Sequence, residues 1–355
     1  MSELNPRHPQ PVNLLADVRT LIAEARHHTA IAVNMGLTLL YWRIGKRVRV
    51  EVLESERAAY GEQIVVTLSR QLVSEFGRGY TEKNLRRMIQ FAEAFSEEEI
   101  VATLARQLSW SHFRELLPLN KPFQREFYAE MSRIEGWSVR TLRERIDSML
   151  YERTALSKKP DALVRQELAL LRSRGDITPA LLLKDPYVLD FLGLTDRFFE
   201  RDLEDAILRE LETFLLELGA GFSFVARQKR IQLDADDFYI DLLFYNRKLK
   251  RLVVVELKQG SFKPEYKGQM ELYLRWLAQH EQEPEENPPL GIILCAGKNT
   301  EQIELLELGT AGIHVAEYLT VLPPPEVLRE KLHKAIETAR ARIEARGGCG
   351  APEEE

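Results

Sequence analysis

Cysteine is scarce: Cys295 and Cys349 are the only two among 355 residues. That excludes a disulfide framework, and no paired-Cys spacing exists for a structural zinc. Long apolar runs are missing too, since no stretch approaches the roughly 18 residues of a membrane helix. The chain start lacks the pattern of a signal peptide. The expectation is a reducing, cytoplasmic compartment and no membrane partner. Positive charge is not in excess either. Lys and Arg total 49 against 55 Asp and Glu, a net charge of −6. Any contact with nucleic acid must therefore come from local basic surface. The first 155 residues carry a net +2 and the remainder −8. The motifs G-x-S-x-G, H-E-x-x-H and G-x-G-x-x-G do not occur. Gly291 to Lys298 comes near a phosphate loop, but five residues separate its glycines and Asn299 stands where Ser or Thr is needed.

What is present centres on Phe238 to Lys258. Tyr239–Tyr245 and Arg251–Lys258 are rich in Val, Ile, Leu, Phe and Tyr, with no Gly or Pro. Two such runs joined by the polar stretch Asn246–Lys250 read as a β-hairpin. Asp241, Glu256 and Lys258 interrupt them. A strand buried on both faces should not carry charges without a use for them. Alternation puts Glu256 and Lys258 on one face and Leu257 on the other. A hairpin centred between Lys248 and Leu249 sets Asp241 opposite Glu256. That register suits the turn, although loop length alone does not fix it. Two carboxylates brought this close repel unless a cation or proton lies between them. Their oxygens suit Mg²⁺ or Mn²⁺. The bland alternative is a salt-bridged patch on a half-exposed sheet.

The length suggests two domains. Residues 1–11 read as disordered, and a helical pattern begins at Val12. Helices are expected to Val50, over 61–76, and from Thr81 behind the break Gly77-Arg78-Gly79. Helix, short turn and basic-fronted helix resemble a helix-turn-helix. Lys83, Asn84, Arg86 and Arg87 are residue types that touch phosphates or base edges. An ordinary helical hairpin with a solvated face is the alternative. His112 beside Trp110 reads as structural, having no partner at ligand spacing. Helices follow over 121–134 and 138–151. Ser157-Lys158-Lys159-Pro160 reads as a linker. Beyond it the expected order is an amphipathic helix over 203–218, strands over 222–233 and the hairpin, then helix, strand, helix and strand. The domains expected are therefore 12–155, all-α and binding DNA or a partner; 161–325; and 326–355, an exposed charged helix with a flexible tail.

This order, with Asp on the second strand and Glu-x-Lys on the third, resembles the PD-(D/E)XK nuclease superfamily, and most closely its YhcG-type members. The blocks that carry the resemblance are LYWRIG, FGRGYTEKNLRRM, LSWSHFRELL, WSVRTLRERI, GFSFVARQKRI, DFYIDLLFYNRKLKRLVVVELK, FKPEYKGQMELYLRWL and GIILCAGKN. It implies a helical N-terminal domain plus a restriction-endonuclease-like αβββαβ core, and metal-dependent hydrolysis of phosphodiester bonds, in DNA before RNA. Asp241, Glu256 and the Leu257 carbonyl stand at the positions that hold Mg²⁺ or Mn²⁺, and Lys258 at the catalytic lysine. Ile240 replaces the signature proline. A helical Glu would join from the first helix, Glu204 rather than Glu210. Gln269 matches a polar residue beside the metal, and Gln228 and Tyr239 would line the cleft. Arg227, Lys229 and Arg230 would contact phosphates beside Lys83, Arg86 and Arg87. A homo-oligomer is compatible with this reading. The competing reading is a nucleic-acid-binding or assembly protein that keeps an inactive nuclease fold.

Overall fold

The computed structural model describes residues 11–54, 58–194, 199–233 and 236–347. The first ten residues and the tail after Gly347, read above as disordered or flexible, lie outside them. The chain divides into two compact units, one up to Glu144 and one from Arg145.

The first unit is helical. Its elements are α1 (Pro11–Glu54), α2 (Ala58–Phe76), α3 (Glu82–Ala94), α4 (Glu98–Ala105), α5 (Trp110–Leu116), α6 (Pro122–Glu135) and α7 (Val139–Asp147), in which the boundary falls. Trp42, Leu85, Met88, Phe91 and Phe113 are almost wholly buried. The Trp42 indole donates to the Phe95 carbonyl at 2.6 Å. At Gly45, α1 crosses α3 so closely that a Cβ would stand 1.8 Å from the Met88 carbonyl oxygen. Only glycine fits there, which accounts for the last letter of LYWRIG. His112 is structural as expected: its ring meets Ser109 Oγ at 2.9 Å and the Trp137 carbonyl at 2.9 Å. Three readings need correction. Helix α4 escapes notice because its eight residues are too few to show a period. The single helix expected over 138–151 breaks after Asp147, and Met149 takes a left-handed conformation (φ 52). Thr81 sits at the N-cap of α3, but its side chain makes no capping bond.

The second unit holds α8 (Leu150–Arg153), α9 (Asp161–Arg174), α10 (Pro179–Leu182), β1 (Tyr187–Val188), α11 (Glu200–Arg209), α12 (Leu211–Leu218), β2 (Phe222–Leu233), β3 (Asp236–Asn246), β4 (Arg251–Ser261), α13 (Glu265–His280), β5 (Leu290–Gly297), α14 (Thr300–Leu305), β6 (Ile313–Leu319) and α15 (Pro325–Gly347). Six strands form one mixed sheet in the order β1-β6-β5-β4-β3-β2. The β2–β3 and β3–β4 pairs are antiparallel and the others parallel. Both faces are covered, which is why Leu252 to Lys258 reads as one buried run. On one face Leu203, Ile207 and Phe214 pack against Leu242, Phe244, Val253, Val255 and Leu257. On the other, Met270, Tyr273 and Leu277 of α13 pack against Leu243, Val254, Ile293 and Cys295. The fold is thus the mixed α+β two-domain arrangement that the resemblance implies.

Here too the structure departs from expectation. The helix over 203–218 is two helices, broken at Glu210 (φ −107, ψ 32), with no Gly or Pro to mark the break. Glu210 is exposed rather than inward-facing. The linker expected at 157–160 is part of the second unit. The buried Ser157 hydroxyl donates to the Glu152 and Thr154 carbonyls at 3.0 and 2.9 Å. Lys158 and Lys298 both donate to one oxygen of Asp185, whose other oxygen accepts from the Glu317 N–H at 3.1 Å. Nor is α15 an exposed appendage. Leu328 and Leu332 are buried with Met149 and Leu319, and Arg340 pairs with Asp161 at 2.7 Å. Sparse apolar positions in a highly charged helix concealed that face from the sequence. Among the described residues, no helix is long and apolar enough to cross a membrane.

Candidate active site

The β3–β4 ladder pairs Asn246 with Arg251 and continues to Leu242 with Val255. One step further, the register sets Asp241 opposite Glu256, the pairing the charges suggest. There side chains take over from the ladder. The Asp241 N–H donates to Glu256 Oε1 at 3.2 Å, and the Leu257 N–H to Asp241 Oδ2 at 2.9 Å. Each carboxylate thus closes the gap left by the other strand.

The remaining oxygens are also engaged. Lys258 Nζ donates to Glu256 Oε2 at 3.2 Å. Gln228 Nε2 donates to Asp241 Oδ1 at 3.0 Å and to Glu204 Oε2 at 2.8 Å. Gln228 lies on β2 between the pairs Arg227↔Leu242 and Lys229↔Ile240, which puts it across from Asp241. Its φ of 44 is left-handed, unusual for a residue with a Cβ inside a strand. Strain of that kind persists where neighbours over-determine the backbone. Glu204 is 6% exposed and comes from α11; its other oxygen accepts from the Arg227 guanidinium. A cleft of about 430 Å³ opens beside these groups, lined by Glu200, Arg201, Glu204, Arg227, Gln228 and Asp241.

The electrostatics follow from this packing. Glu256 is 2% exposed. Burial, and after it the charge of Asp241, push its carboxyl up to about 7. Burial works against the Lys258 ammonium, but Glu256 and Asp241 outweigh it and hold its pKa above the ordinary value. Its Nζ also lies 5.3 Å from the Tyr266 ring centroid. Two carboxylates hydrogen-bonded across the strand end, one of them lining the cleft, are a donor set that fits a hard divalent cation. Among the described residues, no group of three or more His, Cys, Asp or Glu stands ready around a cation position.

The site residues expected from the sequence do not all converge. Asp241, Glu256, Lys258 and Glu204 do. Gln269 reaches the site only indirectly: its amide donates to the Tyr273 hydroxyl at 2.7 Å, which donates to the Tyr239 carbonyl at 3.0 Å. Arg227 bonds Glu204 and also Asp205 at 2.7 Å; Lys229 pairs with Glu281 at 2.6 Å and Arg230 with Asp237 at 2.8 Å. In the first unit, Lys83 is exposed, Arg87 is half-buried, and Arg86 pairs with Glu82 at 2.9 Å. Asn84 is not free to read bases. It donates to the Gly79 carbonyl and accepts from the Trp110 indole.

Three residues were missed or undervalued in the sequence. Glu200 accepts from the Gln259 N–H at 3.0 Å and lines the cleft. It stands one helical turn before Glu204, a spacing that could have revealed it. Tyr273 stands one turn after Gln269 in the same way. Gln228, which the resemblance sets along the cleft, does line it; its bond to Asp241 carried no signal, because it depends on a backbone angle.

Two family models match the chain. One, described as the YhcG PDDEXK nuclease domain, matches residues 180–333, and the other, the DUF1016 N-terminal domain, matches residues 17–153. A protein of Escherichia coli (strain K12) named "Putative nuclease YhcG" is 35% identical over 343 residues, covering 88% of this chain and 91% of the relative. The chain belongs to the YhcG family of PDDEXK nucleases. Likeness to solved structures is much slighter. A repair endonuclease from Pyrococcus abyssi matches 37% of this chain and 50% of its own length, at 20% identity and a TM-score of 0.24. An EndoMS–dsDNA complex matches 34% of this chain and 45% of its own, at 20% identity and a TM-score of 0.25. The chain thus spans about half of either structure.

Proposed function

We propose that this YhcG-family protein hydrolyses phosphodiester bonds in DNA with the help of a divalent cation. One observation carries the reading: Asp241 and Glu256 are joined across the end of the β3–β4 ladder, with Lys258 on Glu256 and an open cleft alongside. Asp241, Glu256 and the Leu257 carbonyl would hold the cation. When bound, it supplies Lewis-acid charge and an activated water. All four carboxylate oxygens already accept one hydrogen bond. Each keeps one free lone pair. That suits Mg²⁺ or Mn²⁺, which take few protein ligands and retain water, better than Ca²⁺, which favours more oxygens and bidentate carboxylates.

The other roles belong to the chain itself. Lys258 places its ammonium where negative charge builds on the phosphoryl oxygens. Glu204 holds Arg227 and, through Gln228, orients Asp241. Gln269 acts through Tyr273 on the backbone of β3, as a positioning residue. Arg227, Lys229 and Arg230 turn from their present ion pairs to phosphates. Lys83, Arg86 and Arg87 supply further phosphate contacts from the first unit. The intact Asp241, Glu256 and Lys258 favour turnover over an inactive relative, because buried charges are costly to keep without a use.

The test is incubation with supercoiled, linear, single-stranded and branched DNA in Mg²⁺, Mn²⁺ or EDTA. Cleavage that needs the divalent ion is expected; no cleavage of any form would overturn the reading. Replacing Lys83, Arg86 and Arg87 together by Ala should flatten the salt dependence of DNA affinity by about 2 to 3 in log–log slope. An unchanged slope returns that helix to a solvated face.

A further inference from the structure

The second unit holds another cavity, of about 620 Å³, and none of the residues lining it lines the cleft at Asp241. Its walls come from β6, α14 and α15 and from the segments around Lys158, Asp185 and Lys298. The size is that of a small-molecule site, and so is the make-up: mostly apolar wall, with a few polar groups gathered together. Ile303, Leu308, Leu328 and Leu332 supply apolar wall. Lys158 and Lys298 both donate to one oxygen of Asp185. Lys158 has the Asp185 carbonyl as its second acceptor, at 3.4 Å, and Lys298 the Val315 carbonyl, at 3.2 Å. An ammonium carries three N–H groups. Each lysine therefore keeps one donor in hand, and both line the cavity. Glu317 lines it too but pairs with neither of them.

We propose that this cavity binds a small organic monocarboxylate, an acid with an apolar body. Its carboxylate bridges the Lys158 and Lys298 ammoniums, and its body lies against Leu308, Leu328 and Leu332. Charge supports this choice. One carboxylate, Asp185, answers two ammoniums. Burial pushes the Lys158 ammonium down, Asp185 does not offset that, and Lys298 adds to the push. Over the whole lining, Lys158, Lys298, Lys331 and Lys334 stand against Asp185, Glu304 and Glu317, a net of +1. One added negative charge cancels that surplus. The second charge of a phosphate monoester would instead meet Glu304 and Glu317 unbalanced. An anion with no apolar body would leave the leucine wall uncovered. Lys331 and Lys334 are exposed, so they form the rim past which the acid enters.

Isothermal titration calorimetry on the full chain tests this with octanoate, beside octan-1-ol, acetate and inorganic phosphate. Octanoate should bind one per chain with a submillimolar Kd. Octan-1-ol lacks the charge and acetate lacks the body, so each should bind weaker by a factor on the order of ten or more. Lys298→Met leaves one ammonium facing one carboxylate and should weaken octanoate binding by a similar factor. Ala335→Trp, at an exposed position on the α15 wall, fills the cavity without touching the charged cluster and should abolish binding. Should Lys298→Met melt early, Ala335→Trp alone decides the location. Glu256→Gln, at the other cleft, should leave octanoate binding unchanged. The proposal is overturned by octanoate that does not bind, that binds no tighter than octan-1-ol, or that binds Ala335→Trp as it binds the parent. Loss of binding in Glu256→Gln would move the acid to the other cleft, and phosphate binding tighter than octanoate would make this an inorganic-anion site; either result overturns it as well.

Discussion

At Asp241, Glu256 and Lys258, two carboxylates stand beside one ammonium, which bonds Glu256; at Asp185, Lys158 and Lys298, two ammoniums share one carboxylate. Both groups are buried in the same unit and built from the same residue types. Their electrostatics are opposite. Glu256 is pushed up to about 7 by burial and by Asp241. Burial pushes Asp185 the same way, but Lys298 and Lys158 outweigh it and hold that carboxyl well below its ordinary range. The second group ties the 158, 185 and 298 segments together. Each group lines a cavity, of about 430 Å³ at Asp241 and about 620 Å³ at Asp185, but the surplus charge is negative at the first and positive at the second. The lesson is that the sign of the surplus, more than the burial of charge, sets the two clusters apart.

Breaking each group should therefore fail differently. The largest effect expected is on turnover: Asp241→Asn or Glu256→Gln should lower DNA cleavage on the order of a thousandfold or more. The melting temperature without metal should hold or rise, since a repelling neighbour has gone. Cleavage near the parent rate, measured beside a melt, would remove the site. Next comes Asp185→Ala, which leaves two half-buried ammoniums without their carboxylate. Chemical denaturation should show a loss of about 3 kcal/mol, with cleavage per folded molecule unchanged. If stability were unaltered, the cluster would not be a lock.

Acid should separate the groups again, with a smaller effect. His314, whose Nε2 meets the Lys184 carbonyl at 2.8 Å, is pushed down to about 4 by burial. Its folded pKa lies below its unfolded one, so it favours the fold above about 6.5 and withdraws that support as the pH falls towards 4. Asp185 has the same sign and withdraws its support lower still. In a Glu256→Gln background, which removes the opposite contribution of that raised carboxyl, denaturation at pH 7, 5 and 4 should show a loss on the order of 1–2 kcal/mol, and adding His314→Gln should flatten it. A stability that rises on acidification over that window would contradict the assignment. The smallest change in stability is expected at Gln228. Gln228→Gly relieves a left-handed backbone, so stability should hold or gain about 1 kcal/mol. Cleavage should still fall tenfold or more, with a higher divalent-ion requirement. Equal ion dependence in variant and parent would reduce Gln228 to a turn residue.

The hairpin register and the Asp241–Glu256–Lys258 set were legible because they rest on strand alternation, a strict two-residue rule, broken by charges in an apolar run. Glu204 was legible by helical spacing, which put Glu210 near the same inner face as well; the break at that residue turns Glu210 outward. What could not be read depended on tertiary context. Ser157-Lys158-Lys159-Pro160 has a linker's composition, but distant Asp185 recruits Lys158. Asn84 looks like a base reader, but Trp110 and Gly79 claim its amide. The sparse leucines of α15 make sense only once Met149 and Leu319 lie beneath them.

The crossing at Gly45 has a mechanical consequence. Where two helices meet through side chains, rotamers can yield and one helix can roll on the other. At Gly45 the backbone of α1 rests against the Met88 carbonyl with no side chain between them. There is nothing at that point to flex, so α1 and α3 behave as one lever with Gly45 as a welded joint. A tilt of α1 therefore carries α3 with it, and with α3 the directions in which Lys83, Arg86 and Arg87 reach.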